Sequence, residues 1–274
     1  MASKKVSIIT GGAGGMGLAT AQVIGAQHHH HIVICDINQQ KLDAAVADLT
    51  QKHISCESVL CDITNRDSVE TLFDTALSRG SLASVIHTAG VSPQMANPEV
   101  IMRVNALGTI HITETALRHA TEGFALVNVA SMAAHMMPAL LIPKRAYALS
   151  FSDVDSFLKK TVFPSRFMPS KLYRNGMAYG ISKNFVIWYS KKNAGKFGEK
   201  GARIVSVSPG SFDTEMGRLE EKSGSAEMLK MAALKRFGRS EEIAELLAFC
   251  ASEKAGYLTG TDVLCDGGVI GSKA

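Results

Sequence analysis

Seven short β-rich runs alternate with helical segments along this chain of 274 residues, and no other feature narrows the choice of fold as much. The runs are VSIIT, HIVIC, SCESVL, SVIHTAG, FALVNVA, ARIVSVSPG and TDVLCDGG. Between them lie GMGLATAQVIGAQ, NQQKLDAAVADLTQ, RDSVETLFDTALSR and PEVIMRVNALGTIHITETALRHA, each apolar at helical spacing. Strands that are apolar on both faces and separated by helices belong in a parallel sheet covered on both sides. The pattern therefore predicts an α/β fold, a doubly wound, parallel, seven-stranded sheet in a single domain spanning 1–274.

The rhythm breaks once. Between the strand ending near Ser131 and the next one near Ile204 there is more chain than one crossover helix needs, and residues 134–175 hold four prolines. SDVDSFLKK is expected to form a short helix there with Ser152 as its N-cap. Residues 124–142 carry no Asp, Glu, Lys or Arg and could span a bilayer by length. Asn128, Ser131, His135 and Pro138 interrupt them, which favours a buried strand running into an apolar loop. With a net charge of +4, no basic block longer than two residues and no signal-like N-terminus, neither nucleic acid nor a membrane is an expected partner, and a cytoplasmic location is expected. The five cysteines form no CxxC pair and read as reduced thiols. His28–His31 straddle a helix–strand junction and point in different directions, so no metal site is expected.

TGGAGGMG at 10–17 follows the first strand and opens the first helix. Glycines let a backbone approach a pyrophosphate closely, and a helix N-terminus offers N–H donors and a positive dipole end. Asp36 ends the second strand 19 residues after Gly17, close to the spacing of an acid that binds ribose hydroxyls. The combination predicts a dinucleotide in a Rossmann-type fold. A carboxylate at that place repels a 2′-phosphate, and Ile37 follows it instead of a base, so NAD is expected over NADP.

Nicotinamide chemistry also needs a group that moves a proton. Tyrosine, with an ordinary pKa of ~10, can do so when a nearby positive charge favours its phenolate. A lysine four residues on lies one turn along the same helix face. Tyr179 and Lys183 have this spacing, whereas Phe151, Met177, Asn193 and Thr261 stand four residues after the other tyrosines.

Thr10, Gly11, Gly15 and Gly17, then Asp62, His87-Thr88-Ala89-Gly90, Asn105, Ser131, the Tyr179–Lys183 pair and Pro209–Thr214 follow the order of motifs in the short-chain dehydrogenase/reductase family, which the chain resembles over nearly its whole length outside 134–175. The closing LTGTDVLCDGG also resembles that family's last strand. The resemblance implies that Tyr179 is the general acid/base and that Lys183 binds the nicotinamide ribose and lowers the Tyr179 pKa. It implies that Ser131 bonds the substrate oxygen and that Asn105 holds a water linking Lys183 to solvent. Gly11, Gly15, Met16, Gly17, Asp36, Asp62, Ile63, Ala89, Gly90, Pro209, Gly210 and Thr214 would complete the cofactor site. A small-molecule substrate and a homo-oligomer, dimer or tetramer, are implied as well.

Two departures stand out. The family commonly has Asn-Asn-Ala-Gly where this chain has His87-Thr88-Ala89-Gly90. Its serine also stands much nearer the tyrosine than the 48 residues between Ser131 and Tyr179; Tyr147, 16 residues after Ser131, sits closer to the usual place but lacks a lysine. Residues 134–175 therefore read as an insert resembling that of some steroid-active members, standing as a lid or subdomain over the substrate mouth. Its Met136, Met137, Leu140, Leu141, Ile142, Phe151, Phe157, Phe163, Phe167 and Met168 either line an apolar pocket or pack the insert onto the domain. Residues 212–234 form a second candidate lid. The expected activity is interconversion of a secondary alcohol and a ketone, such as a hydroxysteroid; a non-catalytic dinucleotide sensor on the same fold is the alternative.

Overall fold

The computed structural model describes residues 4–220 and 226–273. Residues 221–225 of the second candidate lid lie outside the described residues. The strands are β1 (Lys5–Thr10), β2 (His31–Asp36), β3 (Cys56–Leu60), β4 (Ser81–His87), β5 (Ala125–Val129), β6 (Arg203–Pro209) and β7 (Asp262–Cys265). They form one sheet in the order β3-β2-β1-β4-β5-β6-β7 with every neighbouring pair parallel. This is the doubly wound fold that the alternating pattern predicts. The order reverses between β1 and β4, where Thr10 pairs with His87, and the crevice beyond those strand ends is where such sheets bind ligands.

The helices are α1 (Gly15–His28), α2 (Gln39–Gln51), α3 (Arg66–Arg79), α4 (Pro98–Met102), α5 (Gly108–His119), α6 (Lys144–Tyr147), α7 (Val154–Val162), α8 (Lys171–Gly198), α9 (Glu215–Glu220), α10 (Ala226–Met231) and α11 (Ser240–Ala251). Val69, Leu72 and Phe73 of α3 and Ile112 of α5 cover one sheet face, against Ile8, Val33, Val85 and Leu126. Ile24, Leu42 and Leu247 cover the other, against Ile9, Ile34, Ile86 and Val127. Asn38, Asn65 and Asn97 cap α2, α3 and α4 by accepting from backbone N–H groups three residues on. The stretch from Pro98 to His119, continuous in its periodicity, is broken by a π-helical turn at Arg103–Leu107, a feature that concentrates at functional sites.

Residues 134–175, read from the sequence as an insert, form α6 and α7 joined by tight 3₁₀ turns and lead into α8. The insert's helix starts one residue later than expected: Asp153, not Ser152, is the N-cap of α7, its carboxylate accepting from Ser156 N at 3.0 Å. An ionised acceptor makes a stronger bond to the positive helix end than a hydroxyl does.

Tyr147 lies in the insert's core. It is fully buried, its hydroxyl donates to the Ile181 carbonyl at 3.0 Å, and its ring meets Phe185 edge-on at 5.3 Å. Burial pushes its pKa well above the usual phenol range. With Phe157 and Val162 it packs onto Ile110 of α5 and Phe185 and Tyr189 of α8. Tyr147→Ala is expected to destabilise the protein by about 3–5 kcal/mol in urea unfolding. Tyr147→Phe should lose about 1 kcal/mol, one hydrogen bond's net worth; equal stabilities for wild type and Tyr147→Ala would show that the insert does not depend on this anchor.

Candidate active site

β1 ends at Thr10 and the chain turns at Gly11 with φ of 64°. A Cβ on Gly11 would press on the Ala89 backbone at 2.9 Å, and one on Gly17 would strike the Gly11 carbonyl. Only glycine permits this packing, which brings the loop after β1 against the loop after β4. The N-terminus of α1 at Gly14 has no side-chain cap and no acid in its first turn, leaving its positive end for an anion. The Asp36 Oδ1 accepts from Ile37 N at 2.8 Å and Asn38 N at 3.3 Å, which fixes the carboxylate at the end of β2. Asp62 is fixed the same way by Thr64 N at 2.8 Å.

These residues open into one cleft of about 1160 Å³ lined also by Met16, Ile63, Ala89, Gly90, Ser131, Tyr179, Lys183, Pro209, Gly210 and Thr214. All the site residues expected from the sequence except Asn105 line it. Ser131 follows β5 and accepts from Ala133 N at 3.2 Å as the cap of a short turn. Tyr179 and Lys183 lie one turn apart on α8, with the Lys183 Nζ 5.9 Å from the Tyr179 ring centroid. The buried ammonium donates to the Val129 carbonyl at 2.9 Å, which ties α8 to the end of β5 beside Ser131.

Asn105 lies behind the cleft wall in the π-helical turn. Its Oδ1 accepts from Val91 N at 2.8 Å, and its Nδ2 donates to Val91 O at 3.0 Å and to the Ser182 hydroxyl at 3.1 Å. The side chain is thus engaged in holding the loop after Gly90. A Cβ on Gly90 would stand 3.1 Å from Asn105 Oδ1 and 3.4 Å from Lys183 Nζ, so both side chains close on this glycine.

His87 joins both halves of this wall. Thr109 Oγ1 donates to the Asn105 carbonyl at 2.7 Å, so the His87 Nε2–H donates to Thr109 at 3.2 Å. His87 Nδ1 then accepts from Thr10 Oγ1 at 2.7 Å, and Thr10 accepts from Ala89 N at 3.2 Å. The chain of bonds fixes a neutral imidazole with its proton on Nε2. Burial, and secondarily the Lys183 charge, lowers its pKa to about 3.

The distal part of the cleft is walled by Met95, Met136, Met137, Met168, Leu172 and Met177. The insert's apolar residues thus divide. Met136, Met137 and Met168 face the cleft, Phe157 is in the core and Phe151 stacks on Tyr189. His135 has no signature in the sequence. Its Nε2 lies 2.9 Å from Asp262 Oδ2 and 3.2 Å from Ser208 Oγ, and the Asp262 carboxylate also accepts from the Ser206 and Ser208 hydroxyls. It fastens the segment after Ser131 to β6 and β7, and partners so distant in sequence leave no local pattern. At the other end of the sheet His30 and His31 bond Ser7 and Ser55 separately, and among the described residues no cluster has metal-ligand form.

Comparison with known proteins identifies the family and the fold. The family model described as short chain dehydrogenase matches residues 5–159, and that described as enoyl-(acyl carrier protein) reductase matches 162–270. The chain is 29% identical over 272 residues to a short-chain dehydrogenase/reductase of Alternaria brassicicola, covering 94% of this chain and 93% of the relative. It is 25% identical over 275 residues to glucose 1-dehydrogenase 2 of Bacillus subtilis, covering 97% and 94%. A short chain dehydrogenase from Burkholderia cenocepacia solved in complex with NADP superposes with a TM-score of 0.76 at 22% identity over 97% of both chains; at that identity it shares the fold.

The buried His87 has a measurable consequence. An unfolded histidine takes up a proton below pH 6.5, whereas the folded one does not until about 3, so its contribution to stability is full above 6.5 and is lost as pH falls through that window. The melting temperature of the wild type should therefore fall more steeply between those pH values than that of His87→Asn, which cannot titrate. Equal slopes for the two proteins would mean that His87 is not held neutral by the fold.

Proposed function

The chain belongs to the short chain dehydrogenase family, and from that premise we propose an NAD-dependent oxidoreductase that interconverts a secondary alcohol and a ketone on an apolar substrate of the hydroxysteroid kind. The observation that carries this reading is the convergence of Tyr179, Lys183 and Ser131 in one cleft with a glycine cradle and Asp36. The cradle fits a dinucleotide: its Gly11 and Gly17 have no room for a Cβ and the α1 terminus is uncapped. When bound, the nicotinamide supplies the acceptor or donor of a hydride. Gly11 to Gly17 would hold the pyrophosphate, and Asp36 the adenosine ribose. Among the lining cations Lys41, beside Asp36, is paired with Glu215 at 2.7 Å, which leaves the carboxylate to set the local charge and favours NAD over a 2′-phosphorylated cofactor.

In this reading Tyr179 moves the proton at the substrate oxygen and Ser131 donates a hydrogen bond to that oxygen. The Lys183 ammonium stabilises the phenolate and bonds the nicotinamide ribose. Asn105 acts through position, holding Val91 and Ser182 around the lysine. The methionine walls give a soft, polarizable surface suited to a bulky apolar substrate, and the insert serves as the lid over it. Tyr147 and Phe157 cover faces of α5 and α8, helices through which family members often form tetramers in part, so a homodimer is the assembly that this packing favours; a cytoplasmic location completes the reading.

Titration of the purified protein with NADH and NADPH, followed by cofactor fluorescence, tests the cofactor; preference for NADPH would overturn the role of Asp36. Turnover of apolar secondary alcohols with NAD should fall at least about a hundredfold in Tyr179→Phe, the usual worth of a general acid/base, and persist in Tyr147→Phe. Binding of NADH with no turnover of any alcohol or ketone would favour a sensor. Light scattering should give the mass of a dimer; a tetramer would mean that the insert leaves the helix faces free.

A further inference from the structure

We propose that the rim of the substrate mouth, built by the insert, is a docking surface for a membrane carrying anionic phospholipid. The rim is apolar and unusually exposed: Leu140 is 95% exposed, Phe167 69%, Tyr173 63%, Phe163 53% and Leu172 51%. Phe163 and Phe167 meet edge-on at 5.0 Å, leaving most of their rings to solvent. Leu172 and Tyr173 carry this surface into the cleft, which Met136 and Met168 also line, whereas Leu140, Phe163 and Phe167 lie outside the cleft lining. Isolated exposed apolar residues are ordinary, but a contiguous set around a pocket marks an interaction site.

The charge of the same segment identifies the occupant. Residues 134–175 hold seven Lys or Arg against two Asp, a net +5 in a chain whose whole net charge is +4, so the remainder carries −1. The cations flank the apolar side chains: Lys144 and Arg145 follow Leu141, Arg166 precedes Phe167, and Lys171 and Arg174 bracket Leu172 and Tyr173. All seven are exposed, and among the described residues none is in an ion pair. Elsewhere on the surface the cations are mixed: Lys5, Lys41, Arg66, Arg79 and Arg118 each meet a carboxylate, while Lys191, Lys192 and Lys254 are exposed and, among the described residues, in no ion pair, so this segment is set apart by holding seven such cations among exposed apolar side chains. Uncompensated cations interleaved with Leu and Phe are the composition of surfaces that lie in a lipid interface, the side chains entering the acyl boundary and the cations meeting headgroup phosphate. Such a surface lies on a bilayer without crossing it, and among the described residues no helix is long and apolar enough to cross one.

The location gives the contact a use. An apolar substrate of the class proposed above partitions into the bilayer, and a mouth seated on the membrane would receive it without passage through water. That use rests on the proposed substrate class; the docking does not.

Flotation of the full chain with vesicles tests the docking without cofactor or turnover, so failure of the NAD reading would leave its result intact. Vesicles of phosphatidylcholine with about 30% phosphatidylserine should bind at least about tenfold more protein than phosphatidylcholine alone, and about 0.5 M salt should release most of it. Phe163→Ser/Phe167→Ser and Lys171→Glu/Arg174→Glu should each reduce binding at least about fivefold while retaining the wild-type melting temperature. Binding unchanged in both variants, or equal on the two vesicles, would overturn the proposal. So would concentration-dependent self-association that Phe163→Ser/Phe167→Ser abolishes, which would make a second copy of the chain the occupant.

Discussion

The hydrogen bond from the Lys183 ammonium to the Val129 carbonyl is the constraint around which the site is arranged. A buried cation is tolerated only where polar partners replace its water, and here the end of β5 supplies one. Because Val129 precedes Ser131 by two residues and Lys183 follows Tyr179 by four, this single bond sets the distance between serine and tyrosine across 48 residues of chain. What the bond asks of the chain between them is that α8 reach β5. Tyr147, Phe157 and Val162 fulfil that condition by packing the insert against α5 and α8. The insert thus has an inner side that belongs to the core and an outer side that makes the rim.

Much of this is legible in the amino-acid sequence, for physical reasons. Strands buried on both faces must be largely apolar, so β1, β2, β4, β5 and β6 can be read from composition, whereas the half-buried edge strands β3 and β7 are read from their place in the alternation. The glycine loop, Asp36 and the Tyr179–Lys183 spacing are local patterns enforced by backbone geometry on neighbouring residues. The cap of α7 reads one residue early because Ser152 and Asp153 are both capping residues, and only the chain path chooses between them. The π-helical turn lies inside a run that is apolar at helical spacing on either side, and that spacing alone does not mark it. His135 with Asp262, and His87 between Thr10 and Thr109, are beyond reach of sequence patterns because their partners are brought together by sheet order.

Sequence patterns also leave open whether the insert's apolar residues line a pocket or pack a core. Both occur, and the difference follows from place. Residues on the sides of α6 and α7 that face α8 are in the core, whereas in the turns at 136–141 and 163–168 Met137 and Met168 are half-buried against α8 and Leu140, Phe163 and Phe167 stand exposed. Methionines at the cleft edge can fill space without a fixed partner, which suits a wall that meets ligands of different outline.

His87 shows how the charge in the wall is arranged. A second cation beside Lys183 would oppose the ammonium on which a tyrosine phenolate depends. The imidazole here is saturated by two hydroxyls, Thr10 donating to Nδ1 and Thr109 accepting from Nε2, in a chain that runs from the Ala89 amide to the Asn105 carbonyl. Charging it would require a second N–H to point at the Thr10 oxygen, which already receives the Ala89 N–H and would have to turn its own proton elsewhere. The ring is thereby kept neutral by hydrogen-bond direction as well as by burial. The wall has the rigidity of a polar network while Lys183 keeps the positive field to itself.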